Sequence, residues 1–178
     1  MNLSGVLVFS QLLLLSAPST PAPSPPSRHI IAGIPFQRQG REYCGPSTLA
    51  MVFGYYRVAI SQEELADEIY RKKLDGTLNL DMLISARRHG FDADAPAGSL
   101  SLLKEYIRRD IPVIVMIKTG AAPERYHYMV VYGYDDGGEN VSVHSGKTRA
   151  GTVPYRDFER GWEAAGRWML VIEQKQDL

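Results

Sequence analysis

The sequence predicts one α+β domain in which helices come first and antiparallel strands follow. Apolar residues recur at helical spacing through the first part of the chain. After Pro112 that pattern gives way to β-branched and alternating runs divided by turn residues. Composition agrees: 178 residues with 44% hydrophobic content supply one core, and a formal net charge of zero gives no basic footprint for a nucleic-acid partner.

The N-terminus stands apart. Residues 6–15 are mostly apolar but fall short of the about 20 residues that span a membrane. Residues 1–18 therefore read as a signal peptide or a hydrophobic anchor, which implies an exported protein, in the periplasm, in the cell envelope or secreted. The apolar run is the one route to membrane association. Residues 19–29 are rich in proline and serine and form a linker. The folded domain is expected over residues 30–174, with 175–178 as a tail.

Residues 30–36 are apolar and hold Pro35 near their end, which suggests an edge strand or an extended lead-in. Leu49, Val52, Phe53 and Tyr56 lie at i, i+3, i+4 and i+7, so a buried helix is predicted from Cys44 onward. Ser61 followed by Glu64 has the pattern of a capping box and starts a second helix that runs to about Arg71. A third helix spans 81–89 and stops at Gly90, and a fourth covers 100–109. Strands are expected over 111–117, 126–134, 140–144 and 167–173, with DDGGE closing a hairpin between the second and third of these. Trp162, Trp168 and Phe158 are read as aromatic cover at the edge of the core.

The chain has a single cysteine, so no internal disulfide forms and the thiol needs another explanation. Cys44 sits at a predicted helix N-terminus, where the macrodipole favours a thiolate and lowers the thiol pKa. Gly45 permits close backbone approach, and Pro46 suits the first helical turn. The plain alternative is a small buried hydrophobe. A nucleophilic thiol needs a base. Of the four histidines, His29 lies at the linker boundary and His89 at a helix end, whereas His127 opens the apolar strand HYMVVYGY. From the hairpin alone, a structural histidine at a strand end is an equal reading. Gln39, five positions before Cys44, offers an amide N–H for an oxyanion, with Gln37 as a competitor. No histidine or cysteine spacing suits a metal site, and Gly137 and Gly138 belong to a turn and form no phosphate loop.

Together Gln39, the run Cys44-Gly45-Pro46-Ser47, the apolar helix after it, and His127 opening a strand that ends GYD resemble one known group. These are the cysteine peptidases that process double-glycine leader peptides of bacteriocins, a bacterial branch of the papain-like clan. The resemblance extends over residues 34–172. It implies a papain-like fold, with an N-terminal helical layer whose nucleophile helix packs on a C-terminal antiparallel β-sheet. It also implies a peptide or protein substrate and no cofactor. In that likeness Cys44 is the nucleophile, His127 the general base and later acid, and Gln39 an oxyanion donor, with cleavage through a thioester acyl-enzyme. The family carries an orienting Asp on the strand after the histidine strand. Here that stretch is NVSVHSG, residues 140–146, without an Asp. Ser145 is the expected orienting residue, and His144 and Asp135 are the alternatives. The same residues also suit a catalytically inactive peptide-binding domain, or an acyltransferase using the same thioester.

Overall fold

The computed structural model describes residues 25–40, 42–120 and 125–175. The apolar run at residues 6–15 lies outside the described residues, among which no helix is long and apolar enough to cross a membrane.

Strand β1 (Arg28–Ile30) comes first. It overlaps the expected strand over 30–36 only at Ile30, because its pairing is set by the far end of a later strand and not by its own apolar content. Helix α1 (Cys44–Tyr55) begins at the cysteine, and every residue from Gly45 to Phe53 is buried. The predicted stripe is thus one part of a helix enclosed on all sides. Its polar residues are satisfied inside: Thr48 Oγ1 donates to the Gly45 carbonyl at 2.8 Å and Ser47 Oγ to the Gln37 carbonyl at 3.2 Å.

Helix α2 (Gln62–Ile69) starts at the capping box, with both reciprocal Ser61–Glu64 bonds formed. It stops short of Arg71 because Tyr70 turns extended, φ −78° and ψ 128°, and the chain enters β2 (Tyr70–Arg71), which pairs with β3 (Gly76–Thr77). Helix α3 (Asn79–Arg88) ends before Gly90, whose φ of +88° fits the glycine stop. Strand β4 (Phe91–Asp94) buries Phe91 and Ala93 and exposes the two aspartates between and after them. Helix α4 (Leu100–Arg108) is capped by Ser99, which accepts from the Leu102 N–H.

The remaining elements are β5 (Val113–Thr119), β6 (Arg125–Asp135), β7 (Asn140–His144), β8 (Gly151–Pro154), α5 (Tyr155–Glu163) and β9 (Met169–Gln174). Helix α5 is an unexpected helix among strands. Its Phe158 and Trp162 are fully buried in the core and do not merely cover its edge, while Trp168 is partly buried against it. The packing is close at Gly161, where a Cβ would stand 3.1 Å from the Lys118 carbonyl oxygen of β5.

All seven strands of the main sheet are antiparallel, in the order β4-β9-β5-β6-β7-β8, with β1 also paired to β6. Because β5 covers residues 125–131 of β6 and β1 covers 133–135, β1 extends the β5 side beyond where β5 leaves off. Strand β6 is therefore central, and its residues Tyr128 to Val131 are all buried. Helix α1 packs against β6, which joins the helical layer to the sheet. The result is the α+β layering expected from the sequence, with the cysteine-bearing helix on the antiparallel sheet.

Candidate active site

Register brings His127 to the segment that follows β7. Val130 of β6 lies opposite His144, the last residue of β7, so His127 projects beyond the end of β7 and meets the chain that leaves it. There the His127 ring donates from Nε2 to the backbone carbonyl of Ser145, at 2.6 Å. A carbonyl can only accept, so Nε2 carries the proton and Nδ1 is left as the basic nitrogen. On the next residue, the Tyr128 backbone N–H faces the Cys44 sulfur. The Tyr128 phenol is pushed well up, first by burial and then by the nearby Cys44 thiolate and Asp81. The thiol thus lies against the His127–Tyr128 step of β6.

The loop between β7 and β8 is tightly tied. Ser145 N–H donates to the Thr148 carbonyl at 3.2 Å, and Thr148 N–H donates to Ser145 Oγ at 3.1 Å. Ser145 therefore stands where the orienting group was expected, but its hydroxyl closes the loop and its main-chain carbonyl holds the imidazole. His144 is turned elsewhere. Its Nδ1 accepts the Ala150 N–H at 3.1 Å, and its ring packs between Phe36 and Tyr132. Asp135 sits eight positions beyond His127 on the same strand, about 27 Å along an extended chain, and accepts the Gly138 N–H within its turn.

Gln39 reaches the same loop from the other side. Its N–H donates to the Gly146 carbonyl at 2.9 Å. Its Oε1 is buried without a hydrogen-bond partner among the described residues, which leaves Nε2 as the end able to donate. Gly146 has φ +75°, and a Cβ there would fall 2.4 Å from Gln39 Oε1, so only glycine fits. Gln37 contributes its main-chain carbonyl to Ser47. Arg38, Gln39, Gly40, Glu42, Gly146 and Lys147 line an open groove of about 400 Å³ beside these groups. Glu42, with φ 59°, turns the chain into α1 in the left-handed region, at a cost of about 1–2 kcal/mol.

The electrostatics correct one expectation. Burial pushes the Cys44 thiol above its ordinary value, outweighing the backbone N–H groups of Tyr128, Gly45 and Cys44 itself, and Glu42 pushes the same way. The helix N-terminus therefore softens a desolvation penalty and does not produce a low thiol pKa. Burial likewise pushes the His127 imidazole down; the Ser145 carbonyl opposes this, and Lys147 adds to it. Both shifts favour a neutral thiol beside a neutral imidazole. No group of three His, Cys, Asp or Glu residues is placed to hold a metal among the described residues.

The sequence singled out Cys44, His127 and Gln39 as candidates, and it did not point to Gly146, the Tyr128 N–H or Thr77, which the structure places around them. Thr77 packs its side chain where a Gly45 Cβ would stand, 2.9 Å away, which gives the Cys44-Gly45 step its own need for glycine. The Ser-Gly pair directly after a strand was the available sign of a special turn at 145–146.

A buried helix that begins with a thiol, laid on an antiparallel sheet whose central strand carries a histidine one residue from the N–H that faces the sulfur, is the architecture of the papain-like cysteine peptidases. This chain belongs to the Peptidase_C39 like family, whose profile matches residues 31–169. It is 28% identical over 132 residues to the transport/processing ATP-binding protein ComA of Streptococcus pneumoniae, covering 71% of this chain and 17% of ComA. The chain thus spans under a fifth of that relative's length. Two examples stand for the solved structures that share the fold. One is the peptidase domain of Streptococcus ComA, with TM-score 0.66 and 22% identity, covering 79% of this chain and 97% of that one. The other is a double glycine motif protease from an AMS/PCAT transporter in complex with the leader peptide, with TM-score 0.62 and 21% identity, covering 83% and 99%.

Proposed function

We propose that this protein is a cysteine peptidase that cleaves a peptide bond through a Cys44 thioester. The observation that carries the reading is the His127 Nε2 bond to the Ser145 carbonyl, which leaves Nδ1 free to take the thiol proton at the point where β6 meets α1. With thiol and imidazole neutral at rest, the proton leaves Sγ for Nδ1 as sulfur attacks the substrate carbonyl carbon. The carbonyl oxygen becomes an oxyanion that Gln39 Nε2 and the Cys44 N–H stabilise. His127 then gives the proton to the leaving amine, and water, deprotonated by His127, hydrolyses the thioester.

The substrate is a peptide or a protein. The neighbour seen in complex with a leader peptide supports this class, and maturation of an exported peptide is the role we favour. Export itself rests on the apolar run at residues 6–15, and detection of the protein in the extracytoplasmic fraction would support it, whereas recovery only from the cytoplasm would overturn it.

The direct test is hydrolysis of a peptide-amide library by the wild type, Cys44→Ala and His127→Ala. We expect both variants to lose at least about 10³-fold in kcat, as removal of a nucleophile or base does in enzymes of this mechanism. Undiminished turnover in Cys44→Ala would end the proposal.

A further inference from the structure

We propose that Gln62, outside the cleft, is a positioning residue for the oxyanion side of the site. The inference rests on the reading of Gln39 as an oxyanion donor. Gln62 is the first residue of α2, and its side-chain amide grips the backbone on both sides of Gln39. Its Nε2 donates to the Arg38 carbonyl at 3.0 Å, and its Oε1 accepts the Gly40 N–H at 3.0 Å. An amide side chain holds a donor and an acceptor on two separate atoms at one tip, and of the two amide residues glutamine has the longer reach.

The segment needs such support because residues 32–40 form no helix or strand. Gln39 is otherwise tied by its N–H to the Gly146 carbonyl at 2.9 Å. Gln62 and Gly146 thus hold Gln39 from two sides, one from the helical layer and one from the loop that also carries the Ser145 carbonyl. The helix beneath Gln62 is itself fixed, since Ser61 N–H donates to Glu64 Oε2 at 2.9 Å and Glu64 N–H donates to Ser61 Oγ at 3.2 Å. The capping box thereby sets the height from which the amide reaches the backbone on either side of Gln39.

Two reagents separate positioning from simple stability. Acylation of Cys44 by p-nitrophenyl acetate forms the S–C bond, passes through an oxyanion and expels p-nitrophenolate, with the thiol proton passing to His127. Alkylation by iodoacetamide displaces iodide and builds no oxyanion. In the full chain, Gln62→Met should slow the p-nitrophenolate burst about tenfold and leave alkylation within about twofold, a smaller loss than the about 10²–10³ that follows outright removal of an oxyanion donor. Gln62→Glu, which keeps the acceptor for Gly40 and loses the donor to Arg38, should fall between Gln62→Met and wild type. Gln39→Ala combined with Gln62→Met should be no slower than Gln39→Ala alone.

A parallel fall of both reactions, an unchanged burst in Gln62→Met, or an additive loss in the double variant would each overturn the inference while the peptidase reading stands. A wild type without a Cys44-dependent burst would overturn both. A normal burst in Gln39→Ala would remove the oxyanion role of Gln39, and the role of Gln62 with it.

Discussion

At Cys44 the helix N-terminus and burial act in opposite directions, and burial is the larger. The sign has a measurable result: at pH 7 the thiolate fraction lies below that of a free cysteine. The rate of alkylation by iodoacetamide should therefore keep climbing past the ordinary value of 9.0. A rate that is already flat from acid pH would mean that a thiolate–imidazolium pair exists at rest. The imidazole poses a second residue-scale question, since a main-chain carbonyl orients it and the Ser145 hydroxyl bonds Thr148 instead. Ser145→Ala should retain activity within about threefold and lose about 1 kcal/mol of stability, the worth of one hydrogen bond. A collapse of kcat in that variant, with its fold intact, would return the orienting role to the hydroxyl. A neutral carbonyl stabilises an imidazolium less than a carboxylate does, so the proposed reaction would run with a weaker third partner than an Asp would supply.

Among the elements, the β7–β8 loop carries the most consequence for its size. It presents the Ser145 carbonyl to His127 and the Gly146 carbonyl to Gln39, so the proposed base and the proposed oxyanion donor are registered against one short segment. Gly146→Ala would bring a Cβ to 2.4 Å from Gln39 Oε1 and strain a backbone at φ +75°. We expect a loss of about 1–3 kcal/mol in urea unfolding, together with a fall in turnover that exceeds any change in KM. Unchanged kinetics would show that Gln39 tolerates displacement.

Across the whole molecule, acid should be destabilising in a specific window. His127 and His144 are both pushed below the ordinary 6.5, in each case first by burial. The unfolded chain then binds more protons than the folded one, so stability is fully present above 6.5 and is lost as pH falls from there toward the depressed folded-state values. Tm should drop between pH 7 and pH 5, and His144→Phe should flatten part of that slope. A Tm insensitive to pH across that interval would contradict the burial of these rings.

What was legible in the sequence was mostly local. The capping box at Ser61 and Glu64, the stop at Gly90 and the hairpin around DDGGE each depend on a few neighbouring side chains. The position of β1 was not legible, because a three-residue strand is placed by its partner on β6, more than a hundred positions away. Helix α5 was hidden by its place among strands and by Gly161, which is tolerated there for the sake of close approach to β5. In the candidate site, side chains with chemical character could be singled out, but the group behind His127 could not. A backbone carbonyl is present at every position and has no signature of its own.

The placement of β1 also gives the molecule a polarity. It joins β6 at Gly133 to Asp135, the end remote from His127, and the Ser27 carbonyl accepts the Asp136 N–H there. Residues 27–30 therefore join the sheet at the end of β6 remote from the thiol. The end of β6 that carries His127 is thereby left to β5 and to the loop after β7, clear of residues 27–30.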